Sequence, residues 1–171
     1  MSEYPLVTIM IPTYNQSAFI VEAVESALMQ DYENLEVIVL DDCSDDNTQK
    51  LLQAFNSDSR FYYHRNKKNI GRVKNYRKLL YELANGVWVV NLDGDDYYTS
   101  KSFISNAIET IYKIGNNNIV AYCYKHTNIE IIKTIRHREI CSNTLLFSGK
   151  DYFINYPQIG DFTHMNTIYR R

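Results

Sequence analysis

Residues 6–15 read LVTIMIPTYN, residues 35–46 read LEVIVLDDCSDD, and residues 87–96 read VWVVNLDGDD. In each stretch a short apolar run, rich in β-branched residues, passes directly into polar residues. This pattern is typical of a strand that is buried on both faces and ends at an exposed edge. Because helix-like segments separate the three stretches, the sequence predicts an α/β fold with a mostly parallel central sheet and helices on both faces.

The segments between these strands carry helix signals. Residues 17–30 have apolar side chains at helical spacing, and Ser17 is a suitable N-cap. A second helix is expected over residues 72–85, with Gly86 as its C′ residue, and a third over residues 101–114. The short connections favour right-handed crossovers between neighbouring parallel strands.

Strand-like segments also occur at residues 60–64, 119–124, 128–135 and 164–169. The last three follow one another without a long intervening helix, so the pattern changes in the final third of the chain. No internal repeat, low-complexity tract or linker divides the sequence. We therefore expect residues 1–171 to form a single domain.

The composition excludes several classes of protein. With 45% hydrophobic and 22% charged residues among 171, the chain can bury a core and is not a disordered segment. A net charge of −2 lacks the basic excess of a nucleic-acid-binding protein, so no nucleic-acid partner is expected. No apolar run approaches the roughly 18 residues of a membrane span, and no signal peptide is recognisable, which favours a cytoplasmic location.

Known short motifs are absent. The six glycines form neither a dinucleotide-binding fingerprint nor a P-loop. The three cysteines are far apart in the sequence, which disfavours a disulfide framework or a zinc site. Any chemistry must therefore come from the polar clusters that follow the strands.

The acidic turn Asp93-Gly94-Asp95-Asp96 follows a buried strand. Glycine allows a tight turn, so that two or three carboxylates can face one point. Carboxylates held that close repel one another unless a cation joins them, and Mg²⁺ and Mn²⁺ prefer such oxygen ligands. A divalent metal site is the interpretation that we favour, and a solvated acidic turn is its alternative.

The second acidic cluster, residues 41–46, does not match a calcium-binding loop. Asp45 and Asp46 suit the N-terminus of a following helix. Asp41 and Asp42 lie at the strand end, where a carboxylate can accept hydrogen bonds from a base edge or a ribose. Because ligands of open parallel sheets bind beyond the carboxyl ends of the strands, the three polar clusters are expected to form one site.

In order and spacing, residues 7–15, 39–46, 69–71 and 92–96 make the chain resemble family 2 glycosyltransferases of the GT-A fold. The resemblance implies a nucleoside-diphosphate-sugar donor, with a UDP-sugar favoured, and Mn²⁺ or Mg²⁺ as cofactor. It also implies inverting transfer of the sugar to an acceptor hydroxyl, in the synthesis of a surface polysaccharide or other glycan.

The resemblance assigns roles to individual residues. Thr13 and Tyr14 would line the base pocket, and Asp41 or Asp42 would hold the base. The whole implied donor-binding set is Pro12, Thr13, Tyr14, Asn15, Asp41, Asp42, Asn69, Gly71, Arg72, Asn75, Asp93 and Asp95.

Two further roles fall in the acidic turn. Asp93 or Asp95 would contact the ribose. Asp95, with Asp96 as second choice, would bind the metal ion that bridges the diphosphate. Metal-ion catalysis suits a reaction whose leaving group is a nucleoside diphosphate, because the cation stabilises the charge that develops on it.

The chain departs from the family pattern at its end. The catalytic base of the family usually lies in a Glu-Asp pair downstream of a strand that resembles residues 166–171. Asp161, the nearest acid, precedes that strand and is the alternative candidate. We therefore expect the catalytic base to lie beyond Arg171, and the chain to be a donor-binding domain that stops before the base and the acceptor site. The acceptor would be a glycan, a lipid or another hydroxyl compound.

Two interpretations of this departure remain open. In the first, the chain is the donor-binding part of a longer enzyme. The missing part would then hold that enzyme at the inner face of the membrane by peripheral association. Alternatively, it is a non-catalytic module that binds a nucleotide sugar.

Overall fold

The computed structural model describes residues 4–114, 120–124, 138–141, 144–148 and 167–170. Its strands are β1 (Val7–Thr13), β2 (Leu35–Asp41), β3 (Phe61–Arg65), β4 (Trp88–Asn91), β5 (Val120–Tyr124), β6 (Arg138–Cys141), β7 (Thr144–Ser148) and β8 (Thr167–Arg170). Its longer helices are α1 (Ile20–Leu28), α2 (Thr48–Leu52), α3 (Arg72–Lys78) and α4 (Phe103–Ile114). A 3₁₀ turn (Gln53–Phe55) follows α2, and a π-helical turn (Leu79–Leu83) continues α3.

All eight strands belong to one sheet, in the order β3-β2-β1-β4-β8-β5-β7-β6. The pairs β3–β2, β2–β1 and β1–β4 are parallel, whereas β8, β5, β7 and β6 are joined by antiparallel pairing. The predicted α/β fold with a parallel central sheet is confirmed. The change of pattern noticed after residue 118 is the change from parallel to antiparallel pairing.

Three of the parallel strands, β1, β2 and β4, are buried on both faces, as their apolar runs predicted, whereas β3 at the end of the sheet is largely exposed. Every residue of β1 and β2 is buried. Ile9 and Ile11 of β1 pack with α1 and α4 in a large core on one face of the sheet. Met10 packs with Leu79 in a smaller core on the opposite face, against the continuation of α3. Helices therefore cover both faces, as expected of strands with no solvent-exposed side.

The start of helix α1 differs from the prediction. Helix α1 begins at Ile20 with Phe19 as its N-cap, and Ser17 makes no side-chain cap. Instead, the backbone N–H of Ser17 donates a hydrogen bond of 2.9 Å to the Asp46 carboxylate. The loop after β1 is therefore longer than helix periodicity alone indicates, because Ser17 bonds to the loop after β2 and does not start the helix.

Gly86 is not the C′ residue that the sequence predicted. Gly71 is the glycine with positive φ among the described residues, so Gly86 does not adopt the left-handed conformation of such a cap. Gly86 is required by close packing: an added Cβ would lie 2.6 Å from the backbone nitrogen of Thr8 and 2.6 Å from the carbonyl oxygen of Trp88. Its N–H also donates a 2.8 Å hydrogen bond to the Thr8 hydroxyl.

Some expectations lie outside the described residues, namely the strand over residues 128–135 and the position of Asp161. Arg171, beyond which we expect the catalytic base, lies outside them as well, so the location of the base stays a prediction. Within the described part of the chain, no helix has both the length and the apolar character needed to cross a membrane.

We predict that Gly86→Ala destabilises the fold, because the new methyl group would overlap backbone atoms that cannot rotate away. Overpacking of this kind costs typically about 1–3 kcal/mol, and the measurement is the free energy of unfolding in urea. Val87→Ala, a change at a half-exposed neighbouring residue, is the matched control and should have a much smaller effect. Equal stability of Gly86→Ala and the unaltered chain would contradict the assignment.

Candidate functional site

The carboxyl ends of three parallel strands meet at one edge of the sheet. Thr13, the last residue of β1, pairs with Asp41, the last residue of β2. The pairing continues past both strands, since Asp42 N–H donates to the Thr13 carbonyl at 2.9 Å. On the other side of β1, Leu92 N–H donates to the Met10 carbonyl at 2.9 Å. A cavity of about 320 Å³ opens at this edge.

The cavity contains most of the residues that the sequence singled out. Its predicted lining residues are Pro12, Thr13, Tyr14, Asp42, Asn69, Arg72, Asn75, Asp93 and Asp95. Gln16 and Tyr76 also line it and were missed. Asn15, Asp41, Gly71 and Asp96 do not line the cavity. Tyr76 could have been predicted from the sequence, because it lies four residues after Arg72 on the same helix, and side chains at that spacing share a face.

Asp41 is fully buried behind the cavity wall. Its Oδ1 accepts hydrogen bonds from the Ser44 N–H at 2.8 Å and the Ser44 hydroxyl at 2.5 Å. Its Oδ2 accepts one from the Tyr63 hydroxyl at 2.8 Å and lies 3.3 Å from Nε of Arg65. Burial, together with this bond to Asp41, raises the pKa of Tyr63, so the phenol stays a donor. Asp41 is therefore engaged by β3 and by its own loop.

Asp42 lines the cavity and fixes the loop that precedes α3. Its Oδ1 accepts hydrogen bonds of 2.9 Å from the Asn66 side chain and from the Ile70 N–H. Its Oδ2 accepts one of 2.9 Å from the N–H of Gly71, whose φ of 86° favours glycine. Asn75 supports the same loop, because its amide oxygen accepts a 2.8 Å hydrogen bond from Asn66. One buried carboxylate thus holds three points of the loop in place.

The loops after β1 and β2 are tied to each other. Asn15, with a φ of 53°, donates its N–H to the Ser44 hydroxyl at 2.9 Å and accepts at 3.0 Å from the Asp45 N–H. Asp46 accepts hydrogen bonds from Ser17 and from Thr48 at the start of α2, each 2.9 Å long. Although partial burial raises its pKa, the hydrogen bonds from Thr48 and Ser17 outweigh that effect and lower the pKa of Asp46 to about 2. Asp46 thus bonds the first N–H of α2, although the N-cap is Asn47, which makes no side-chain cap.

The acidic turn approaches the end of β1 closely. Asp96 N–H donates to the Asp93 carbonyl at 2.9 Å, which closes a four-residue turn. A Cβ on Gly94 would lie 2.4 Å from the side-chain oxygen of Gln16 and 3.0 Å from the Thr13 hydroxyl. A larger residue at position 94 would thus displace the Gln16 side chain, and this close contact brings the turn to the cavity.

Opposite charges face each other across the cavity. Asp93 accepts hydrogen bonds from the Tyr76 hydroxyl and, at 2.9 Å, from the Asn91 side-chain amide. Nη2 of Arg72 lies 3.8 Å from Oδ2 of Asp93, and the Arg72 side chain is largely exposed. Hydrogen bonding to Tyr76, together with the negative charge of Asp93, raises the pKa of Arg72. The cavity therefore offers one fixed cation beside carboxylates, as an anionic, hydroxyl-bearing ligand would require.

The donor set of the cavity is compatible with a hard divalent cation. Among the described residues, no group of three or more His, Cys, Asp or Glu side chains is arranged to hold a metal ion. Mg²⁺, however, commonly uses one or two carboxylates and completes its coordination with water and substrate phosphates. Asp95 is exposed and lines the cavity, whereas Asp93 is engaged by Tyr76, Asn91 and Arg72. The residues present therefore fit a cation that is held jointly by the protein and a ligand.

Comparison with known proteins gives a consistent family. The sequence model described as Glycosyl transferase family 2 matches residues 8–171. The chain is 40% identical to chondroitin synthase of Escherichia coli over an alignment that covers 98% of this chain and 29% of that protein. It is 37% identical to the putative colanic acid biosynthesis glycosyl transferase WcaA of Escherichia coli K12, covering 75% of this chain and 44% of that protein. The chain thus spans less than half the length of these relatives.

Solved structures share the fold. TarS of S. aureus, in complex with UDP-GlcNAc, superimposes with a TM-score of 0.68 at 21% identity, covering 96% of this chain and 45% of that one. The mannosyltransferase PcManGT of Pyrobaculum calidifontis, in complex with GDP-Man and Mn²⁺, gives a TM-score of 0.65 at 20% identity, covering 95% and 49%. At this identity the likeness establishes the GT-A fold.

We predict that Asp42→Asn weakens the fold, because an amide has only one acceptor oxygen for the three donors, of which that of Asn66 is buried. Leaving buried donors unsatisfied costs about 1–3 kcal/mol, which urea unfolding can measure. Asp45→Asn makes the same chemical change at an exposed position of the neighbouring loop and should be nearly neutral. An Asp42→Asn variant as stable as the Asp45→Asn variant would show that the Asp42 contacts do not stabilise the loop.

Proposed function

The chain belongs to glycosyl transferase family 2, and we propose that it carries the donor site of a metal-dependent, inverting glycosyltransferase. The donor is a nucleoside-diphosphate sugar, with a UDP-sugar favoured, and the acceptor is a hydroxyl of a growing glycan. The observation that carries the proposal is the shared cavity of Asp42, Arg72, Asp93 and Asp95 at the carboxyl edge of the parallel strands.

Each part of the proposed donor would meet a different group of cavity residues. Thr13, Tyr14 and Asp42 lie at the β1–β2 side of the cavity and would receive the base. Asp93, held by Tyr76 and Asn91, would accept hydrogen bonds from the ribose. The Arg72 guanidinium would bind the diphosphate, because its planar donors suit phosphate oxygens.

Asp95 is the residue that we propose as the metal ligand, with Asp96 as second choice. Asp95 lines the cavity, and Asp96 lies outside the lining. When bound, Mn²⁺ or Mg²⁺ would stabilise the negative charge that develops on the departing nucleoside diphosphate. The solved complex of PcManGT, a fold relative, with GDP-Man and Mn²⁺ supports this proposal.

The proposed transfer is a single displacement. An acceptor oxygen would attack the anomeric carbon opposite the diphosphate, the bond to the diphosphate oxygen would break, and the hydroxyl proton would pass to a carboxylate base. The relatives named for chondroitin and colanic acid synthesis favour a polysaccharide as acceptor. We further propose that the base and the acceptor site belong to a region beyond Arg171, which would act at the inner face of the membrane.

We predict that donor binding depends on metal. A ligand that binds only the folded chain adds about 2.7 kcal/mol to stability at a hundredfold excess over its Kd, which corresponds to about 5–11 °C in Tm for a chain of this size. UDP or GDP with Mn²⁺ should therefore raise the Tm measured by thermal shift more than either nucleotide alone.

The Asp95→Asn variant tests the proposed ligand. It should lose the Mn²⁺-dependent part of the shift and keep the Tm of the ligand-free chain, because Asp95 is exposed. Asp45→Asn, at an exposed position away from the cavity lining, should keep the full shift. If Asp95→Asn also keeps it, Asp95 is not the ligand, and Asp96→Asn becomes the next variant.

We also predict that residues 1–171 bind the donor but transfer its sugar slowly. Assistance by a general base contributes typically about 10²–10⁴-fold, and water that reaches the open site would leave slow donor hydrolysis as the residual activity. The measurement compares release of nucleotide with formation of glycoside in the presence of candidate acceptors. Fast transfer that Asp161→Asn abolishes would instead place the base at Asp161, and tight binding without transfer or hydrolysis would favour a non-catalytic module.

A further inference from the structure

Tyr76 occupies a special place beside the cavity. It lies on α3, one helical turn after Arg72, and is partly buried while its side chain lines the cavity. Its hydroxyl donates a hydrogen bond to Oδ1 of Asp93, and the same oxygen accepts a second one, of 2.9 Å, from Asn91. Two donors from different elements converge on one carboxylate oxygen, so the carboxylate cannot rotate without losing one of them.

The ring of Tyr76 has a second contact. The guanidinium carbon of Arg72 lies 5.6 Å from the ring centroid, within the range of a cation–π interaction. The side chain of Arg72 is 72% exposed, so the ring is a surface that restricts an otherwise solvent-exposed chain. Tyr76 thus contacts two of the charged groups that the proposed donor would meet, Arg72 and Asp93.

The two contacts accompany a loose ion pair of Arg72 with Asp93 instead of a close, two-point one. Arginine and carboxylate groups pair most strongly when two N–H groups meet both oxygens. Here Oδ1 of Asp93 is already bonded to Tyr76 and Asn91, and Nη2 of Arg72 remains 3.8 Å from Oδ2. Burial, the hydrogen bond to Asp93 and the charge of Asp93 raise the pKa of Tyr76 to about 12, so its hydroxyl remains protonated at neutral pH.

We propose that Tyr76 is a positioning residue for the donor: its hydroxyl orients Asp93 toward the ribose, and its ring holds Arg72 for the diphosphate. The proposal rests on the proposed function, because it assumes that this cavity binds a nucleoside diphosphate. The two effects can be tested in turn, because removing the hydroxyl ends the hydrogen bond to Asp93 but leaves the ring beneath Arg72.

Tyr76→Phe removes the hydroxyl and keeps the ring. Affinities are measured by calorimetry with Mn²⁺ for UDP and for its 2′-deoxy and 3′-deoxy forms. Loss of a hydrogen bond to a charged group corresponds to roughly a tenfold or larger change. The variant should bind UDP about tenfold more weakly, bind at least one deoxy form with little change, and therefore lose the preference for an intact ribose.

Tyr76→Leu removes the ring as well. In addition, this variant should reduce the preference for UDP over UMP, because Arg72 is no longer held for the second phosphate. Tyr76→Phe should keep that preference. Tyr81→Phe is the matched control. Tyr81 lies on the continuation of the same helix, and its ring centroid is 5.3 Å from the guanidinium carbon of Arg77. It does not line the cavity. This control should leave every affinity unchanged.

A double-mutant cycle distinguishes positioning from general stability. In an Asp93→Asn background, Tyr76→Phe should no longer change the preference for an intact ribose. The proposal is overturned if Tyr76→Phe weakens all nucleotides by the same factor, if the unaltered chain binds UDP and both deoxy forms equally, or if the effect persists without Asp93. Failure of the unaltered chain to bind UDP or GDP would instead reject the proposed function and this inference with it.

Discussion

The parallel pairing of β1 with β2 on one side and β4 on the other is the constraint on which the site depends. Parallel strands end at the same edge, and the register sets Thr13 beside Asp41 and continues through the bond from Asp42 to Thr13. Because β1 and β2 are buried along their whole length, a slip in register would move apolar side chains and the acidic ends together. The hydrophobic core therefore fixes the positions of the polar cluster with the same interactions that stabilise the fold.

Burying carboxylates at that edge is costly unless each is hydrogen-bonded. Asp41 and Asp42 meet this requirement differently, although they are adjacent. Asp41 accepts from Ser44 and Tyr63 behind the cavity wall, whereas Asp42 accepts from the loop that leads into α3. The two acids fasten the loop after β2 and the loop after β3 to the sheet. The cavity thus has walls that are set before any ligand arrives.

Sequence reasoning predicted the α/β fold, the strand ends and most of the cavity lining, because apolar periodicity and the position of polar residues after strands are local signals. It could not choose between Asp41 and Asp42, since the side that each faces depends on Tyr63 and on residues 66–71, which are distant in sequence. The sequence also did not reveal why glycine occupies positions 86 and 94. An added Cβ would meet backbone of another segment at Gly86 and the Gln16 side chain at Gly94, and no single stretch of sequence records such contacts.

The order of the strands places the site residues on two sides of one cavity. β2 and β1 carry Asp42 and Thr13, and β4 brings Asp93 and Asp95 to the opposite side of the same cavity. The next strand in the sheet is β8, which runs antiparallel to β4, so Thr167 lies near the edge where β4 ends. If the base of the donor lies toward β2, its sugar points toward this antiparallel half. On the proposed function, the parallel half would then contact the nucleotide, and the strands beyond β4 would lie nearest to the sugar.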